Sequence, residues 1–176
     1  MRYREVLKNS YNEHPTRRSL GQRIVNKDGT RGDYEYITYR ELYPLVVQLG
    51  RSMRKQFPWM ERQGRAGFFG KNCRDIQLFS LAMQSQDQIS VPIYDTLGDD
   101  AVQYVIEHSG MTVIAVTEEK LPLLQKYLSK PGLIRAIVLL GVSKTSDVLK
   151  TFVSVIRKDI RVLHFEEVCI LGITHF

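Results

Sequence analysis

Four short apolar runs, at residues 65–69, 89–93, 113–116 and 134–140, alternate with segments whose apolar residues recur at helical spacing. No other feature constrains this chain as much. The runs at 113–116 and 134–140 have no polar alternation, which suits strands covered on both faces. The intervening stripes are Ile76, Phe79, Ala82 and Met83, then Ala101, Val102, Val105 and Ile106. A strand–helix repeat of this kind implies an α/β fold with a doubly wound, mostly parallel sheet.

Local signals fill in the frame. Asp28-Gly29 between two extended runs marks a β-hairpin, with strands near 21–26 and 34–38 and a turn at Lys27-Asp28-Gly29-Thr30. Thr38-Tyr39-Arg40-Glu41 has the capping-box pattern and opens a helix over about 39–56, with Leu42, Leu45, Val46, Leu49 and Met53 on one face. Pro44 inside that helix should bend its first turns. Asn72 is the expected cap of the helix carrying Ile76, and Asp75 suits its positive end. Pro92 argues against a central position for its strand. A helix over 99–109 is closed by Gly110. Pro122 suits the start of a helix over 118–129. Residues 148–158 read as a helix, 161–163 as an edge strand, and 165–171 as a last helical turn or two. Residues 1–20 are polar and read as a surface helix or arm.

The chain has 176 residues, a formal charge of +6, 43% apolar residues and 25% charged residues. These proportions exclude disorder over the whole length. The basic residues are spread along the sequence opposite many acids, so they read as a mildly basic solvated surface, without a dedicated nucleic-acid site. Cys73 and Cys169 lie far apart, outside any zinc spacing, and read as free thiols. The N-terminus lacks the apolar core of a signal peptide, and no apolar run approaches the ~18 residues of a membrane span.

Motifs of catalysis are missing. Gly64, Gly67 and Gly70 are spaced three apart and mark turns around a strand, not a dinucleotide fingerprint. The loop Gly141-Val142-Ser143-Lys144-Thr145-Ser146 has hydroxyls and a lysine but lacks the glycines of a phosphate-binding loop. His14, His108, His164 and His175 have no metal spacing. His108 reads as a helix-end cap. The pairs Asp99-Asp100 and Glu118-Glu119 suit helix N-termini. Catalytic, cofactor-binding and metal-ligating residues are therefore assigned to none of these positions. One corner stands out: Tyr94-Asp95-Thr96-Leu97-Gly98 follows a strand, where ligands sit in doubly wound sheets. The same residues also suit a purely structural turn.

Several of these stretches carry a resemblance. Thr38-Tyr39-Arg40-Glu41, Gly67-Phe68-Phe69-Gly70, Asn72 and its helix, and above all Val91-Pro92-Ile93-Tyr94-Asp95-Thr96-Leu97-Gly98 with Ala101, Tyr104 and Val105 resemble the N-terminal region of long-chain fatty-acid–CoA ligases. These belong to the adenylate-forming, AMP-dependent synthetase superfamily. The likeness covers roughly residues 10–172; the run Arg161–Val168 with Gly172 looks like the segment before that family's nucleotide loop.

The resemblance implies that residues 21–176 are a partial N-terminal domain, the first α/β subdomain preceded by its hairpin and cut before the nucleotide loop. The full-length family uses ATP, Mg2+ and coenzyme A; its catalytic elements lie beyond this chain. It also implies that the Tyr94–Gly98 corner is scaffold. Three readings follow. One is an N-terminal ligase fragment, inactive alone. Another is a non-catalytic binding or regulatory module that pairs with a full-length synthetase. A nucleic-acid-binding domain is the third and rests only on net charge. Self-association is expected from uncovered edges. Localisation is expected to be intracellular, in the cytoplasm or at the cytosolic face of the endoplasmic reticulum, peroxisome or outer mitochondrial membrane, with peripheral membrane association.

Overall fold

A computed structural model describes residues 3–170 apart from Lys27, Glu61 and Asp95. The chain opens with helix α1 (Tyr3–Glu13). This segment is docked, not a loose arm: Leu7 is buried and the Tyr11 ring lies 5.2 Å from that of Tyr43. Strands β1 (Arg18–Val25) and β2 (Arg31–Thr38) then form the expected antiparallel hairpin, with Gly21 opposite Tyr36 and Arg23 opposite Tyr34. The first strand starts at Arg18, inside the segment expected as the arm. At the turn, Asp28 Oδ1 accepts from the Thr30 N–H at 3.0 Å and from its hydroxyl at 2.7 Å, and Gly29 has φ of 82°. Lys27, the first residue of the expected turn, lies outside the described residues.

Helix α2 (Tyr39–Gln56) begins at the capping box and runs unbroken with Pro44 inside it. Thr38 donates its backbone N–H to Glu41 Oε2 at 2.7 Å and its hydroxyl to the same oxygen at 2.8 Å. These two bonds hold the Glu41 carboxyl below its ordinary range. The folded value therefore lies below the unfolded one, near ~4.3. The stabilisation is complete above that unfolded value and is lost as pH falls through the folded value. Glu41→Ala should lower stability by about 0.5–1 kcal/mol near neutral pH, the low end of capping effects because the box is solvent-exposed. Urea unfolding at about pH 7 and about pH 3 checks this. An undiminished gap at the lower pH would contradict it.

The rest of the chain winds a parallel sheet. In order come β3 (Arg65–Phe69), α3 (Arg74–Ser85), β4 (Ile89–Ile93), α4 (Asp99–Ser109), β5 (Val113–Thr117), a 3-10 turn (Glu118–Lys120), α5 (Leu121–Leu128), β6 (Ala136–Leu140), α6 (Asp147–Val155), β7 (Arg161–His164) and α7 (Phe165–Ile170). The strand order is β4-β3-β5-β6-β7, with every pair parallel. Pro92 sits on edge strand β4, where a missing donor is tolerated, and β7 is the other edge, as its short run suggested.

Two expectations are corrected. Asn72 does not cap α3; Cys73 occupies that position. The first N–H of the helix, from Arg74, is instead accepted by Gln22 Oε1 of the hairpin at 3.2 Å. Helix α6 stops at Val155 because Ile156 turns to extended backbone.

Each face of the sheet has its own core. On one side Ala66, Ala115 and Ala136 meet large side chains of α2 and α3, among them Leu49, Met53 and Phe79. On the other, Ile114, Val116, Ile137 and Leu139 meet Val102, Leu124 and Phe152 of α4, α5 and α6. Small strand residues facing large helix residues fill the space without voids. Gly110 closes α4 at φ of 65°, as its place in the sequence suggests.

Candidate functional site

The winding reverses at β3: the next strand, β4, pairs on one side and the one after, β5, on the other. The connections leaving the carboxyl ends of β3 and β5 therefore diverge onto opposite faces. The crevice between them is where doubly wound sheets bind ligands. Here the loops of that switch point are 70–73 and 117–120. They approach closely because residue 70 is glycine; a Cβ there would collide with Thr117.

The hairpin roofs this crevice. Besides the Gln22 bond to α3, the Glu35 carboxylate lies 3.8 Å from Arg74 Nη1. The enclosed cleft is about 630 Å³ and is lined by the hairpin, by Lys71 to Arg74 and by Thr117 and Glu119. Its charged walls are Arg23 and Arg31 from the hairpin, Lys71 and Arg74 from the β3–α3 side, and Glu119. Arg23 is held by its Nε, which donates to the Gly32 carbonyl at 3.1 Å, and its guanidinium sits 5.7 Å from the Tyr34 ring centre. Arg74 Nε is buried without an acceptor.

Burial pushes the Glu119 carboxyl up. The Thr117 hydroxyl at 2.7 Å and the Lys71 N–H at 3.4 Å outweigh that and leave it below its ordinary range. Glu119 is thus an anion that organises the loop, and the remaining wall charge is positive. The cleft can accommodate an anionic group by charge and by donors. Two carboxylate oxygens or a phosphate suit guanidinium donors.

A neighbouring cleft of about 540 Å³ lies between β2, α2, α3 and α7 and includes Asp75, Glu166 and Cys169. Burial, followed by the charges of Asp75 and Glu166, pushes the Cys169 thiol up to about 12. Burial also raises Cys73, at the mouth of the first cleft. Neither sulfur is a nucleophile near neutral pH. Asp75 is raised by burial, with Arg74 opposing and Glu166 adding to the effect.

The corner singled out in the sequence sits elsewhere. It follows edge strand β4, beside the switch point. The Leu97 N–H closes a turn onto the Tyr94 carbonyl at 3.2 Å, Gly98 caps α4, and Tyr94 is 68% exposed. Asp95 lies outside the described residues. Tyr94, Thr96, Leu97 and Gly98 do not line the cleft. His108 stacks on Tyr104 with ring centres 5.0 Å apart. The loop 141–146 forms its own turn: the Thr145 N–H donates to the Ser143 hydroxyl at 3.3 Å, and Lys144 pairs with Glu167 at 2.6 Å. Among the described residues no group of three His, Cys, Asp or Glu side chains is placed to hold a metal ion. His175 and Gly172 lie outside them. The residues that line the cleft, Gln22, Arg23, Arg31 and Lys71, were not singled out as a site from sequence. The hairpin is remote from the β3–α3 loop in sequence, and only the strand order brings them together.

The model of the family described as "AMP-binding enzyme" matches residues 7–161. Long chain acyl-CoA synthetase 5 of Arabidopsis thaliana is 32% identical over 122 residues, covering 69% of this chain and 18% of that protein. Long chain acyl-CoA synthetase 4 of the same plant is 34% identical over 117 residues, covering 66% and 17%. The matched region is thus under a fifth of each of these relatives. Among solved structures, the A-PCP didomain of a carboxylic acid reductase from Segniliparus rugosus, in complex with AMP, superposes with a TM-score of 0.78 at 16% identity, over 97% of this chain and 26% of that one. The adenylation domain of a Mycobacterium chelonae carboxylate reductase gives 0.78 at 15% identity, over 98% and 29%.

Proposed function

Because this chain belongs to the AMP-binding enzyme family, we propose that it is the N-terminal segment of a long-chain fatty acid–CoA ligase. The match of residues 7–161 to that family, with long-chain synthetases as relatives at 32–34% identity, carries the reading. The parent reaction joins a fatty acid carboxylate to the α-phosphate of ATP, releasing pyrophosphate. The thiol of coenzyme A then displaces AMP to give the thioester. Mg2+ would neutralise charge on the transferring group.

The described residues do not by themselves fit MgATP. They lack an acidic cluster for the metal, and the loop at 141–146 does not present a glycine-rich cradle. What this segment supplies is a scaffold with a cationic cleft at its switch point, suited to orienting an anionic group that other parts of the enzyme act on. Alone, the chain is inactive. A sensitive pyrophosphate-release assay with purified chain, ATP, Mg2+ and a long-chain fatty acid should match its heat-denatured control. Release that depends on the fatty acid would overturn this reading.

The exposed edge of β4, with Ile89, Tyr94 and Tyr104 all uncovered, favours a second role as a module that pairs with itself or with a full-length synthetase. At high concentration the isolated chain should elute in sizing chromatography as more than a monomer. A single sharp monomer peak would remove the support for pairing. Among the described residues no helix is long and apolar enough to cross a membrane. We place the parent enzyme inside the cell, on the cytosolic face of a membrane.

A further inference from the structure

The fold sorts charge by end. In a parallel sheet wrapped by helices, strand starts and helix ends share one edge. Here Arg65 and Arg161 open β3 and β7, and Arg135 immediately precedes β6. Arg54 and Lys55 close α2 at the same edge. The connections there add Arg62, Lys130 and Lys158, which are exposed, and the half-buried Arg157. The acids along this edge, among the described residues, are Asp87, Glu107 and Asp159. Asp87 lies 3.8 Å from Arg62, and Asp159 lies 3.4 Å from Arg157. The opposite edge carries Asp100, Glu118, Glu119, Asp147 and Glu166. Basic residues that look dispersed in the sequence are therefore collected on one end of the molecule.

Helix dipoles explain part of this pattern, since cations favour helix C-termini. They account for Arg54 and Lys55. They do not account for Arg65, Arg135 and Arg161 at strand starts. Several of these guanidinium groups are also fixed in place. Arg161 donates to the Gln56 carbonyl at 2.6 Å and to its side-chain oxygen at 2.9 Å. Arg157 donates to the carbonyls of Gly132 and Ile134 at 2.8 and 2.6 Å. Arg135 and Arg161 lie 4.5 and 5.8 Å from the Trp59 ring centre. Between the two carbonyls held by Arg157, Leu133 stands 60% exposed.

We propose that this basic edge is a docking surface for an anionic lipid bilayer. Clustered Lys and Arg side chains recognise acidic headgroups at close range, and Leu133 offers an apolar tip at the same level. A single-stranded nucleic acid would need open aromatic platforms. The Trp59 ring is covered by arginines, so the edge offers stacking no free face there. The proposal does not rest on the ligase reading; it follows from topology and charge.

Co-sedimentation of the 176-residue chain with vesicles tests it, comparing pure phosphatidylcholine with vesicles containing acidic phosphatidylserine. Binding is expected only to the acidic vesicles and should weaken as salt is raised, because exposed charges are screened. Four neutralisations on the edge, Arg54→Gln, Lys55→Gln, Lys130→Gln and Lys158→Gln, should reduce partitioning at least tenfold, since each Lys or Arg near such a surface contributes about fivefold. The comparison variant carries Arg17→Gln, Arg40→Gln, Lys144→Gln and Lys150→Gln at the opposite end. It changes net charge equally and should lose less than threefold. Circular dichroism confirms that both variants fold. Equal losses in the two variants, equal binding to neutral vesicles, or no vesicle binding would overturn the proposal. So would RNA binding that the edge variant abolishes while vesicle binding survives.

Discussion

Phe79→Ala is expected to lower stability by about 3–5 kcal/mol, the range for deleting a fully buried aromatic ring. Phe79 is 0% exposed on the face of α3 that meets α2 and the sheet. Its strand-side neighbours in that core include Ala66, Ala115 and Ala136. Alanines have no side-chain reach with which to fill the space vacated by a ring. The site therefore collapses poorly, and the cavity remains. Domains are stable by only about 5–15 kcal/mol in total, so the loss should carry the variant close to unfolding at room temperature. Urea titration followed by circular dichroism measures it. Tyr104→Ala, at a side chain 61% exposed, should change stability by less than about 0.5 kcal/mol. A Phe79→Ala loss as small as that would mean that the α2–α3 core is not packed as described.

Phe79 belongs to the part of the fold that the sequence shows directly. It lies on a helical stripe with Ile76, Ala82 and Met83, and such periodicity is local. The strands at 65–69 and 89–93 and the helix at 99–109 follow from the same kind of signal, and their limits agree with the structure. The Asp-Gly turn and the Thr38–Glu41 box are equally local. What the sequence did not show depends on contacts between distant segments. Asn72 is a good capping residue by type, yet the donor it was expected to satisfy is taken by Gln22, 52 positions away. The order β4-β3-β5-β6-β7 fixes where the crevice lies, and strand order is not written in hydrophobic period. The same holds for charge. Arg65, Arg135 and Arg161 are far apart along the chain, and parallel winding brings them to one edge. The corner at Tyr94 attracted notice for its turn chemistry, and turn chemistry is what the described residues there supply.

Gly50→Val should destabilise by about 1–3 kcal/mol or more through overpacking, although glycine is intrinsically a poor helix residue. Inside α2 a change from glycine to alanine ordinarily gains about 1 kcal/mol of helix propensity. The surroundings of Gly50 reverse that sign. A Cβ on this residue would lie 2.6 Å from the Ala82 carbonyl oxygen and would also overlap the Ser85 hydroxyl. A side chain can rotate away; a backbone carbonyl in the middle of α3 moves only with its helix. Gly50→Ala should therefore be destabilising despite its propensity, and Gly50→Val should be worse, since its branched carbons extend toward the same helix. Adding Ser85→Gly should recover only part of the loss, because the Ala82 carbonyl remains. Denaturant titration of the single and double variants separates the two contacts. A Gly50→Ala variant at least as stable as the original would show that α2 and α3 have slack between them. The consequence reaches the site as well. Helix α3 begins at Arg74, whose N–H ties it to the hairpin and whose guanidinium lines the cleft, so separating α3 from α2 should also loosen the basic wall of the crevice.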